Sequence, residues 1–120
     1  MREVCYLIGR DGRVLWSDTG TSPVALSDSR ARWMAIWSFR EDLAEVAHSH
    51  PVGPLAFSEE DETTMSALTA ALGPGLRFSI VAPGGMLRRV GAQDVHVTDE
   101  PSWARALRAQ SGMIGSEEAE

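Results

Sequence analysis

The sequence predicts an α/β domain, a mixed and mainly antiparallel sheet flanked by helices. Two observations predict the strands: pairs of short apolar runs are joined by turn residues at Arg10-Asp11-Gly12 and again at Pro83-Gly84-Gly85. A third predicts the helices, which are stretches bounded by caps or breakers that alternate with those runs. The resulting order, β-β-(β)-α-β-α-β-β-β-α, suits a sheet with helices packed on it.

Val4 to Ile8 and Arg13 to Ser17 form the first hairpin. Gly20-Thr21-Ser22-Pro23 is loop chemistry, and Val24 to Leu26 is a candidate short strand. Ser27 or Asp28 caps a helix expected from about Asp28 to Asp42. Trp33, Ile36, Trp37 and Arg40 recur at i, i+3, i+4 and i+7, so both tryptophans are expected in the core. A strand over Val46 to His50 follows and stops at Pro51. After the loop Pro51 to Phe57, a helix starts at Ser58 and runs to about Leu72, with Met65, Leu68 and Leu72 on one side. Gly73-Pro74-Gly75 ends it. Leu76 to Ala82 and Met86 to Val90 make the second hairpin, and Asp94 to Thr98 a last strand. Pro101 to Ser111 is a helix with Trp103, Ala106 and Leu107 as its apolar side.

At 120 residues the chain is expected to be one domain, residues 1–112, followed by an acidic, flexible tail over 113–120. Hydrophobic content of 43% with 23% charged residues is ordinary for a globular protein. A net charge of −6, with scattered arginines and no lysine, argues against nucleic-acid binding. The single cysteine, Cys5, excludes an internal disulfide and any cysteine-rich zinc site, and is expected to be buried. No apolar run approaches the ~20 residues of a membrane span, and MREVCYLIG lacks the features of a secretory signal. A cytoplasmic protein is expected. The sequence leaves the oligomeric state open, a homodimer included.

The chemistry concentrates in one stretch. Two of the chain's three histidines, His48 and His50, stand one residue apart before Pro51, and Ser58 and Asp61 follow. On a strand, residues i and i+2 point to the same face, roughly 6.5 to 7 Å apart. Two imidazoles can therefore close on one ion. Ser58 to Asp61 reads as the first turn of a helix, which returns a carboxylate toward the strand end. His48, His50 and Asp61 are three ligands where zinc takes four, and a catalytic zinc keeps the fourth position for water. The third histidine, His96, is expected on a solvent-facing strand position. Hydrolysis also needs a base. Glu45 falls on the wrong strand parity, and spacing does not choose among Glu3, Glu41, Glu59, Glu60 and Glu62.

His48-Ser49-His50-Pro51 with Ser58-Glu59-Glu60-Asp61 resembles the JAMM signature, H-[ST]-H-P-x(6)-S-x-x-D, in ligand identities, serine and both spacings. Glu3-Val4-Cys5-Tyr6-Leu7-Ile8-Gly9 is similar to that family's first strand, E-x-C-G-L-L-G, with Tyr6 where glycine is common. The resemblance implies the cytidine-deaminase-like JAB/MPN fold and a single catalytic Zn2+ held by His48, His50 and Asp61. It makes Glu3 the general base and Ser58 the group that steadies the oxyanion. It also implies hydrolysis of a peptide or isopeptide bond, after the C-terminal Gly-Gly of a ubiquitin-like or sulfur-carrier protein, with the tail added to a sheet edge. The alternative it carries is a catalytically silent scaffold or binding module of the same fold.

Overall fold

The computed structural model describes residues 1–20, 22 and 29–113. The candidate strand Val24 to Leu26, the candidate caps Ser27 and Asp28, and residues 114–120 lie outside the described residues. Among the described residues the order is β1 (Val4–Gly9), β2 (Val14–Thr19), α1 (Arg30–Ser38), β3 (Leu43–Ser49), α2 (Glu59–Leu72), β4 (Arg77–Ala82), β5 (Gly85–Val90), β6 (Gln93–His96) and α3 (Ser102–Ser111). The strands form one six-stranded sheet in the order β2-β1-β3-β4-β5-β6. β3 and β4 are parallel, and every other neighbouring pair is antiparallel. A parallel pair needs a crossover, and α2 supplies it. This mixed, mostly antiparallel α/β architecture is the one expected.

Both faces of the sheet are covered. Val4, Tyr6 and Ile8 of β1 pack with Ala47, Val81 and Met86 against Trp103, Ala104 and Leu107 of α3. The alternate residues Cys5 and Leu7 pack with Phe78 against Ala35 and Ile36 of α1 and Met65 and Leu68 of α2. The period of two along β1 thus divides one strand between two cores, which is why all six of its residues are buried. Tyr6 belongs to the α3 side, where its hydroxyl bonds Gln110 and its ring meets Trp103 edge-on. No helix of the described residues is long and apolar enough to cross a membrane.

Three expectations are corrected. α1 is shorter than its expected span and is capped by Ser29, whose side chain accepts from the Arg32 N–H. Its last turn closes at Phe39, which is packed against the α1/α2 core while the chain bends to bring Leu43 into the sheet. The tryptophans of α1 are not core residues. The helix buries Ala35 and Ile36, Trp37 is 58% exposed under the Arg40 guanidinium, and Trp33 is 37% exposed. On α3, Ala106 is exposed and Ala104 is buried beside Trp103, Leu107 and Ser111. At about 100° per residue, positions 103, 104, 107 and 111 share one face and 106 does not.

Two polar features complete the frame. Glu45 is buried on β3, bonded to the Ser79 hydroxyl and ion-paired with Arg88 at 2.9 Å. α3 ends at Gly112, whose φ of +81° is the left-handed cap conformation that glycine adopts without strain. Met113 is still buried, so the folded part reaches at least that far.

Candidate metal centre

The five residues singled out in the sequence, Glu3, His48, His50, Ser58 and Asp61, line one cleft of about 610 Å³. Strand register brings the first three together. Cys5 stands opposite His48 in the antiparallel β1–β3 ladder. Two positions beyond that pair, just outside the ends of β1 and β3, come Glu3 and His50. Antiparallel partners share a face and the side-chain period is two, so all four fall on the α1/α2 side of the sheet.

β3 ends at Ser49, one residue earlier than expected, yet His50 keeps its direction because its N–H donates to the Val81 carbonyl at 2.8 Å. Pro51 has no N–H to continue the ladder. A turn follows, with the Gly53 N–H donating to the His50 carbonyl at 2.9 Å and Gly53 at φ +70°. It returns the Pro54 carbonyl to 2.9 Å from His50 Nδ1. A carbonyl only accepts, so Nδ1 carries the hydrogen, and in the neutral ring Nε2 keeps its lone pair.

That Nε2 lies 3.0 Å from His48 Nε2. The Asp61 carboxylate reaches both rings, Oδ1 at 3.2 Å from His48 Nε2 and Oδ2 at 3.4 Å from His50 Nε2. Electron-rich atoms this close repel unless a positive charge, a proton or a metal ion, sits among them. Glu3, His48 and His50 also present ligand atoms that all lie within 4.8 Å of one another, a group that could hold a metal ion. The histidine pair is thus common to two carboxylates, Asp61 and Glu3.

Asp61 owes its placement to helix capping. Ser58 is the N-cap of α2, its Oγ accepting from the Asp61 N–H at 3.1 Å, and Asp61 Oδ2 accepts from the Ser58 N–H at 2.8 Å. This reciprocal box fixes the carboxylate at the helix N-terminus, beside the end of β3. Ser58 Oγ accepts in that bond, which leaves its hydroxyl hydrogen for donation.

The environment drives the two carboxylates apart. Burial raises the Glu3 pKa from its ordinary value, and the charges of His48 and His50 offset this only partly. Burial also acts to raise Asp61, but hydrogen bonds from His48 and His50 and their charges outweigh it, so Asp61 is held far below its ordinary value. For His50, burial pulls downward, while bonds to Asp61 and the Pro54 carbonyl, with the charges of Asp61 and Glu3, lift its pKa overall. The two carboxylates are thus shifted in opposite directions by their surroundings, Asp61 downward and Glu3 upward.

Of the other candidate glutamates, Glu60 also lines the cleft and Glu41 and Glu59 do not. Glu62 pairs with Arg89, and Glu45 is occupied on the opposite face of the sheet. Among the described residues lining the cleft, the carboxylates are Glu3, Glu60 and Asp61, and of these Glu60 is exposed and Glu3 buried. Near the start of the chain, Glu3 is tied down: its N–H donates to the Ser22 carbonyl and its own carbonyl accepts from the Gly20 N–H, both at 2.8 Å.

Sequence reasoning missed the Pro54 carbonyl, because a main-chain oxygen has no residue signature. It also missed the cleft's apolar wall, where Trp33, Ile36, Phe57 and Phe78 meet the site. The solvent-facing position of Trp33 was hidden by its place in a helical stripe.

Two imidazole nitrogens with the carboxylates of Glu3 and Asp61 beside them, and a backbone carbonyl fixing one ring from behind, form a group that could hold a metal ion. No protein-family model matches the chain, and no curated protein matches it.

Proposed function

We propose that this protein is a zinc-dependent metallopeptidase or isopeptidase of the JAMM type, on a JAB/MPN fold. Its bond of choice lies after the C-terminal Gly-Gly of a ubiquitin-like or sulfur-carrier protein. The observation that carries the proposal is the convergence of His48 Nε2, His50 Nε2 and Asp61 within 3.4 Å, with the Glu3 carboxylate beside them. His48, His50 and Asp61 would hold the ion. When bound, zinc supplies a Lewis acid that polarises a carbonyl and lowers the pKa of water toward ~7.

The rest is the work of the chain's own side chains. Glu3, whose pKa burial raises, takes a proton from the attacking water and delivers it to the leaving amine as the C–N bond breaks. The Ser58 hydroxyl donates to the carbonyl oxygen as negative charge develops there. Asp61 stays ionised and keeps both rings in place. A Gly-Gly tail suits the approach, because without Cβ atoms the substrate backbone can run close to the protein backbone.

The test is zinc content together with turnover of carrier proteins ending in Gly-Gly. One zinc per chain, activity lost with chelator and restored by zinc, and a Glu3→Gln protein that keeps zinc but not turnover are expected. A purified protein that takes up no zinc, or whose activity ignores the chelator, overturns the reading.

A further inference from the structure

Ser49 lies between the two histidines in sequence but on the opposite face of the sheet. It is fully buried, so its hydroxyl has to find partners within the protein. Its Oγ accepts from the Val4 N–H at 2.8 Å and lies 2.6 Å from the hydroxyl of Ser111, itself fully buried at the end of α3. Ser111 Oγ is in turn 2.8 Å from the Leu107 carbonyl. Each hydroxyl has one hydrogen and a carbonyl has none. The arrangement that uses each once runs in a single direction: the Val4 N–H donates to Ser49, Ser49 to Ser111, and Ser111 to Leu107.

The place of this chain of bonds gives it meaning. The β1–β3 ladder stops at the Cys5–His48 pair, so at Val4 a side chain stands in for the missing main-chain partner. The Val4 N–H belongs to the peptide group that follows Glu3, and the carbonyl of the same group accepts from the Gly20 N–H. Ser111 adds a second hold, its carbonyl accepting from the Arg2 N–H at 3.0 Å. The backbone on both sides of Glu3 is therefore referenced to α3, and through Ser49 to the strand segment that carries His48 and His50.

We propose that Ser49 and Ser111 are positioning residues for Glu3, a buried hydroxyl relay that sets the distance between the carboxylate and the histidine pair. The proposal rests on the hydrolase reading only for its kinetic consequence. The geometry can be tested without turnover.

The experiment compares the zinc-loaded full chain with Ser49→Ala, Ser49→Thr and Ser111→Ala. The kinetic probe is a peptide ending in Gly-Gly joined to aminomethylcoumarin. Independently of activity, amide exchange at Val4 and the carboxyl carbon resonance of Glu3 are followed by NMR. Ser49→Ala is expected to lower kcat about tenfold or more with KM and zinc content unchanged, since small misplacement of a reacting group is costly. It should also speed Val4 exchange and shift the Glu3 resonance. Ser49→Thr, which restores the hydroxyl, should recover both, and Ser111→Ala should give a smaller loss in the same direction.

If Ser49→Ala leaves Val4 exchange and the Glu3 resonance as in the parent, the relay does not position Glu3. Loss of zinc in step with activity overturns it too, since the serine would then serve the metal ligands. If Ser49→Ala does not fold, Ser49→Thr and Ser111→Ala decide by the same two resonances. A parent chain that fails to cleave the probe counts against the hydrolase reading, and the NMR arm still decides the positioning.

Discussion

The Pro54 carbonyl holds the ring of His50 from behind, 2.9 Å from Nδ1, and so decides which nitrogen faces His48. The loop from Pro51 to Phe57 therefore belongs to the site as much as the strand does. Its contribution is orientation: an imidazole free to turn would not keep Nε2 toward the space shared with His48 and Asp61.

The pH dependence of the metal-free protein follows. The folded pKa of His50 is raised, so its contribution to stability is full below the ordinary histidine value of about 6.5 and is lost as pH rises through the folded value. The folded pKa of Asp61 is depressed, so its contribution is present above about 3.9 and is lost as pH falls toward the folded value. Both hold between about pH 4 and 6.5. Urea unfolding of chelated protein should show a higher midpoint at pH 6 than at pH 8. Added zinc should reverse that order, because ligand protons compete with the metal. An unchanged order would show that the ion does not bind through His50.

Ser58 caps α2, and in the proposed mechanism it also donates to the oxyanion; the two roles can be separated. Ser58→Ala removes the acceptor for the Asp61 N–H and should lower stability by about 1 kcal/mol in urea or thermal unfolding. Zinc should remain bound, since Ser58 is not a ligand. Turnover should fall by about a hundredfold or more, as for loss of one oxyanion donor. Loss of stability with full turnover would reduce Ser58 to a cap.

Cys5 lies at the cleft wall yet is sealed from water, and burial pushes its thiol pKa up to about 12. At pH 8 the native protein should react with a disulfide reagent far more slowly than the unfolded chain, with one thiol per chain released on denaturation. Rapid native labelling would mean that the β1–β3 end opens readily.

The tryptophans should divide by burial. Trp103 fills the α3 core, and Trp103→Ala is expected to cost about 3–5 kcal/mol. Trp37 lies on the surface with Arg40 4.0 Å above its ring, so Trp37→Ala should cost less than about 1 kcal/mol. Chemical denaturation of the two variants checks the contrast.

Much of the fold was legible because local chemistry sufficed. The turn at Asp11-Gly12 and the breakers at Pro51 and Gly73 bounded elements close to where the structure has them. The Ser58–Asp61 box could be read outright, since four residues contain the whole interaction. Helix faces were less legible. Trp33, Ile36 and Trp37 make an apolar stripe in sequence, but what a face meets is a property of its neighbours, and only Ile36 finds the core. The same holds for Ala106 against Ala104.

By itself, the sequence determined the residue types of the candidate site, their spacing and the cap that aims Asp61. Those depend on residues within 14 positions of one another, from His48 to Asp61. What only the tertiary structure decided was the company they keep. Glu3 meets His50 because an antiparallel register places them across two strands 47 positions apart in the chain. Pro54 meets the back of the ring because a turn closes, and Ser111 meets Ser49 because a helix at the far end of the chain packs under the sheet. Register, turn closure and packing are relations between distant parts of the chain, and no local spacing encodes them.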